Sequence, residues 1–148
     1  MIDPAASRFG DRIGRGPAAS FRCTRCGELA GVVRVARAGT MVDMGPPLGI
    51  EIPDRDGLVL DYFLGTAWQA ESAEVLDAVQ ALVEQGNVAP AAIRDVSWAL
   101  REVTPFYCPD CGLSYCSRDW DTCVVSDEGF YDCTEGACPN GHRHVLDD

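Results

Sequence analysis

The 148-residue chain contains no lysine. All twelve basic residues are arginine, which excludes Schiff-base chemistry, a lysine nucleophile and the lysine of a phosphate-binding loop. Long apolar runs are also missing. No stretch of about 18 apolar residues occurs, so a transmembrane helix is not expected. Met1 to Gly14 has no apolar core behind a basic end, so no secretory signal is expected, and the chain is assigned to the reducing cytoplasm. Histidine is limited to His142 and His144. Neither H-E-x-x-H nor the deaminase pairing of H-x-E with P-C-x-x-C is present. Nucleophile elbows, glycine-rich phosphate loops and calcium-loop spacing are absent as well.

What is abundant is acid. There are 23 acidic residues against 12 basic ones, for a net charge of -11. The sign is unevenly distributed. Residues 1–37 hold seven Arg against three acids, and residues 38–148 hold five Arg against twenty acids. An acidic body repels phosphate backbones, so nucleic-acid binding is not expected unless the Arg-bearing N-terminal arm performs it. With 47% apolar residues, the chain has enough to bury a core, and its length suits a single domain.

Cysteine is the informative residue. The eight are Cys23, Cys26, Cys108, Cys111, Cys116, Cys123, Cys133 and Cys138. A disulfide framework is the competing reading, with 105 connectivities for eight cysteines, but the spacing favours metal. Cys23-Thr-Arg-Cys26-Gly and Cys108-Pro-Asp-Cys111-Gly are both C-x-x-C-G, each with an aromatic just before it (Phe21; Phe106 and Tyr107). Two intervening residues let one turn aim two thiolates at an ion about 2.3 Å away. The glycine after the second Cys permits a positive φ.

The segments Phe21–Gly27 and Phe106–Gly112 resemble the rubredoxin-type knuckles of zinc-ribbon proteins. Cys138-Pro-Asn-Gly-His142 is a third candidate knuckle, with His in place of the second Cys. The resemblance implies zinc but little about function. Ten donors suit two tetrahedral zinc ions with two to spare. The preferred pairing joins the two most alike knuckles, Cys23, Cys26, Cys108 and Cys111, in one site and Cys116, Cys133, Cys138 and His142 in the other. Cys123 and His144 are then spare. A rival pairing joins Cys108 and Cys111 to Cys138 and His142, leaving Cys23 and Cys26 to Cys116, Cys123 or Cys133. Ligand sets dominated by Cys are usually closed, so the ions are read as structural.

Residues 1–20 read as a flexible arm broken by Gly10, Gly14, Gly16 and Pro17. Residues 31–38, 48–52 and 57–63 read as strands, with a turn at Pro53-Asp-Arg-Asp-Gly57. The nearly continuous apolar run Leu58–Phe63 suits a central strand. Two helices are expected between the knuckles. The first runs from about Ala67 to Gln85, with Thr66 and Gln69 as a capping box and Gly86 as the left-handed end. The second runs from about Pro90 to Glu102. Trp98 points away from its apolar stripe, either packing on a knuckle or the sheet or anchoring a protein partner.

The expected architecture is therefore α+β. A small antiparallel sheet carries zinc-ribbon knuckles and a two-helix insertion over about 66–103. A cysteine-rich part over 104–148 completes a single zinc-stabilised domain spanning 21–148. The expected function is that of a non-enzymatic zinc-binding adaptor or accessory subunit. It would engage a protein partner through an acidic, aromatic-bearing face. The alternatives are a small zinc hydrolase or thiol redox enzyme, and a nucleic-acid-binding ribbon.

Overall fold

A computed structural model describes residues 17–43, 49–89, 92 and 104–147. Its first half is a four-stranded antiparallel sheet in the order β1-β2-β5-β6. The strands are β1 (Ala19–Arg22), β2 (Leu29–Ala36), β5 (Gly57–Tyr62) and β6 (Gly65–Ala70). A small ribbon of β3 (Val42–Asp43) and β4 (Ile50–Glu51) extends from it. β5 is buried at every position, in keeping with its nearly continuous apolar run, broken only by Asp61, which suits a strand covered on both faces.

One face of the sheet packs against α1 (Ala73–Gln85) through Leu76, Val79 and Leu82, which share a side at helical spacing. They meet Phe21, Val33, Leu58, Leu60, Tyr62 and Phe106. On a second, smaller cluster, Trp68 and Val42 rest against Ala36 and Val59.

The two-helix insertion is not what forms. The protein is mostly β, and among the described residues there is one helix. Residues 67–70, expected as the start of the first helix behind a Thr66 cap, lie instead in β6, which pairs with β5 from Gly57↔Ala70 to Tyr62↔Gly65. Side chains along β6 alternate between half-buried and exposed, the period of a strand. Trp68 fits both periods, four residues before Ser72 but also opposite Val59. Pairing with the buried β5 decides the outcome, because tertiary context overrides a weak local signal. The helix starts instead at Ser72, whose hydroxyl accepts from the Val75 amide at 3.4 Å. It ends as expected at Gly86, at φ 75, whose amide donates to the carbonyls of Leu82 and Val83. The second expected helix, over 90–102, and Trp98 lie outside the described residues apart from Ala92.

The C-terminal part is built from strands as well. β7 (Tyr107–Cys108) and β8 (Leu113–Ser114) form a short hairpin. β9 (Asp121–Asp127), β10 (Phe130–Ala137) and β11 (Arg143–Asp147) form a sheet in the order β11-β10-β9. Tyr115, Trp120 and Leu146 make its core together with Cys23, Cys108, Cys116 and Cys138. Four of the seven buried residues of this core are thus cysteines, so what their sulfurs bind decides how well the core holds. Hydrogen bonds tie the two halves together: Thr24 N to Ser114 O at 2.9 Å, Trp120 Nε1 to Phe106 O at 3.1 Å, and Tyr62 Oη to Leu146 O at 2.8 Å.

Candidate metal centres

Four turns present the donors. After Cys23, the Gly27 amide donates back to the Cys23 carbonyl at 2.9 Å, and Gly27 sits at φ 77. After Cys108, the Gly112 amide donates to the Cys108 carbonyl at 2.8 Å, with Gly112 at φ 71. Both glycines therefore take the left-handed conformation expected of them. After Cys138, the Gly141 amide donates to Cys138, and the Cys138 amide donates to the His142 carbonyl, each at 2.9 Å. The fourth turn follows Cys116, where the amides of Asp119 and Trp120 both donate to the Cys116 carbonyl at 3.1 Å.

These turns converge in two groups. The first centre gathers Cys108, Cys111, Cys138 and His142, and the second gathers Cys23, Cys26, Cys116 and Asp119. In each, the donor atoms lie within 4.8 Å of one another. A tetrahedral zinc with ligands at about 2.0–2.3 Å sets its donors roughly 3.3–3.8 Å apart. In the first centre, His142 Nδ1 lies 3.7, 3.2 and 3.3 Å from the sulfurs of Cys108, Cys111 and Cys138. The sulfurs of Cys111 and Cys138 are 3.7 Å apart. In the second, the Cys26 and Cys116 sulfurs are 3.5 Å apart, and Asp119 Oδ2 lies 2.9 Å from Cys23 and 3.5 Å from Cys116. Both groups are geometrically possible four-coordinate metal sites, the Asp119 to Cys23 contact alone being shorter by about 0.4 Å than that spacing.

The electrostatics of the first centre are uneven. Burial pushes the Cys108 thiol up to about 12. Burial pushes Cys111 the same way, but hydrogen bonds from Tyr115 and Asn140 and from its neighbours Cys138 and His142 outweigh it, bringing this thiol down to about 6. Asn140 Nδ2 donates to Cys111 Sγ at 3.1 Å, and the His142 amide donates to Cys138 Sγ at 3.4 Å. Donors to sulfur of this kind orient metal-bound thiolates and spread their charge. In the second centre, burial raises both Cys23 and Cys116. The Cys23 thiol, hydrogen-bonded to Asp119, holds that carboxyl below its ordinary range. A dication supplies the charge that makes ionising such buried sulfurs favourable.

The structure divides the expected donors along the lines of the rival pairing. Cys23 and Cys26 lie with Cys116, and Cys108 and Cys111 lie with Cys138 and His142. Cys133 is buried on β10 and belongs to neither group. Cys123 is exposed on β9. His144 borders the first centre, its Nε2 3.5 Å from Cys108 Sγ and 3.1 Å from Asp110 Oδ2. These three form a further possible grouping that shares Cys108 with the first centre. Asp119 is the donor that sequence reasoning missed. Its signal is Cys116-Ser-Arg-Asp119, the two-residue knuckle spacing with a carboxylate in second place.

In order along the chain, the first and third donor pairs form one centre and the second and fourth form the other. The two centres therefore interlock, and each holds together segments on either side of the other's ligands. Among the described residues, no helix is long and apolar enough to cross a membrane. No curated protein matches the chain. No solved structure matches it either. A family model matches residues 12–148, and the chain belongs to that family, described as Domain of unknown function (DUF8328).

Proposed function

We propose that this protein binds two structural zinc ions and acts, without catalysis of its own, as an adaptor or accessory subunit for a protein partner. The observation that carries the reading is the pair of interlocked four-donor groups. Thiolate and imidazole donors at tetrahedral separations suit zinc better than calcium or magnesium, which take oxygen ligands. Four protein donors per centre leave no coordination position for a substrate, which favours a structural role over a hydrolytic one.

The partner reading rests on the surface of β9 and β10. Val124 and Tyr131 are exposed there, and Phe130, at 77% exposure, stands beside the Glu128–Gly129 turn. Asp127, Glu128 and Asp132 flank Phe130 and Tyr131 in the sequence and are exposed as well. A bare aromatic among acids suits a partner with an apolar pocket rimmed by basic residues. The same acids disfavour nucleic acid.

Native mass spectrometry of zinc-supplemented protein, together with partner capture by wild type, Phe130→Asp and the double variant Asp127→Arg/Asp132→Arg, tests both parts. We expect two zinc ions in all three proteins and loss of the captured partner in both variants. Fewer than two ions would overturn the metal reading. Undiminished capture by both variants would overturn the docking face.

A further inference from the structure

We propose that Asp119 is itself a metal ligand, completing a three-thiolate, one-carboxylate zinc centre, and that this centre gives up its metal before the three-thiolate, one-histidine centre does. This rests on the zinc reading above, which counts Asp119 among four donors, and adds that its carboxylate binds the ion directly and that the two centres release their metal in a set order.

The placement of Asp119 carries the first half. Its backbone turn closes on Cys116 as the Gly-ended knuckles close on Cys23 and Cys108, through an amide four residues on donating to the cysteine carbonyl. Its Oδ2 lies in the corner where a knuckle's second thiolate would sit, 2.9 Å from one buried sulfur and 3.5 Å from another. Three cysteines alone would leave a tetrahedral ion one ligand short, and Asp119 supplies it. Without metal, the same contact is a thiol donating to a carboxylate, so the two readings differ in something measurable.

The contrast between the centres carries the second half. A carboxylate oxygen is a harder donor, less matched to zinc than thiolate or imidazole. Cys26 is exposed, so water and competing chelators reach the second centre from that side. The sulfurs of both centres accept backbone hydrogen bonds, but in the first centre Cys111 accepts a side-chain donor, Asn140, as well. Outer contacts of this type are worth on the order of 10–100-fold in metal affinity.

The full-length protein is titrated with Co²⁺ alone and, loaded with zinc, with a chelator, while released thiols are alkylated and mapped by mass. Asp119→Ala and Asp119→Cys are compared with wild type. We expect Asp119→Ala, which removes a direct ligand, to weaken one ion by more than the roughly 100-fold that loss of an outer contact costs and leave the other unchanged, and Asp119→Cys to bind two ions with added sulfur-to-cobalt charge-transfer absorption. In wild type, Cys23, Cys26 and Cys116 should be labelled before Cys108, Cys111 and Cys138. Two unchanged affinities in Asp119→Ala, or no added charge transfer in a folded Asp119→Cys, would overturn the ligand assignment while leaving the two-zinc reading intact. Earlier labelling of the first centre would overturn the order of release. Wild-type protein that binds neither metal would bring down the zinc reading and this inference together.

Discussion

The phenol of Tyr62 donates to the carbonyl of Leu146 across 84 positions of sequence, at 2.8 Å and out of solvent. It joins the last residue of β5 to β11, and so the helix-backed sheet to the sheet that borders the metal centres. Burial raises the phenol well above its ordinary value, so it stays a donor throughout the usable pH range.

Tyr62→Phe removes that donor and leaves the Leu146 carbonyl buried without it. The expected cost is about 1–2 kcal/mol, read as a lower urea midpoint with an unchanged slope. A change in slope would instead mean that the two halves no longer unfold together.

A buried ion pair supports the other side of the first sheet. Arg34 on β2 faces Asp61 on β5 at 3.5 Å, with side-chain exposures of 7% and 1%, and also donates to the Asp43 carbonyl at 2.8 Å. The Thr66 hydroxyl donates to the second Asp61 oxygen. Truncating one member of such a pair leaves a buried charge uncompensated, so Arg34→Met should cost about 3 kcal/mol or more. Replacing both, in Arg34→Met/Asp61→Leu, should recover part of that loss in thermal denaturation. A double variant no better than the single one would show that the pair does not act as a unit.

An exposed carboxylate gives the acid dependence. The Ala38 amide donates to Asp56 at 2.9 Å, and Arg37 lies beside it at 3.3 Å. The amide first, then the guanidinium, hold Asp56 below the ordinary value of 3.8. A depressed folded-state value means the contribution to stability is present above that ordinary value and is lost as pH falls through the folded one. A carbon-detected titration should place the Asp56 midpoint below 3.8, and Asp56→Asn should flatten the acid limb of the stability curve. An ordinary midpoint would show that the amide contact does not persist in solution.

The knuckles were legible because they are local: a C-x-x-C-G sequence fixes its own turn whatever surrounds it. The central strand β5 was legible for a similar reason, since a nearly continuous apolar run states its own burial. Two features were hidden. Residues 65–70 fit a helical period as well as a strand period, and only pairing with β5 separates the two. The grouping of donors is a matter of tertiary placement. Similarity between two knuckles says nothing of which pair shares an ion, and the two most alike lie in different centres. Asp119 was passed over because carboxylates are abundant here and only geometry singles one out.

Cys133 separates the two groupings most cleanly. The pairing by similarity gives both Cys116 and Cys133 a metal, whereas the structure places Cys116 in the second centre and leaves Cys133 in neither. Cys123→Ser and Cys133→Ala should therefore each retain two ions by native mass spectrometry. Cys133→Ala should still lose about 1 kcal/mol, because it trims a buried side chain. Cys116→Ser should lose one ion. Its effect should also reach the first centre, because the donor pairs alternate along the chain and Cys108 and Cys111 lie between Cys26 and Cys116. Alkylation of Cys111 should accelerate in Cys116→Ser even though none of its own ligands has changed. Loss of an ion from Cys133→Ala would restore the pairing by similarity and set aside the interlocked arrangement.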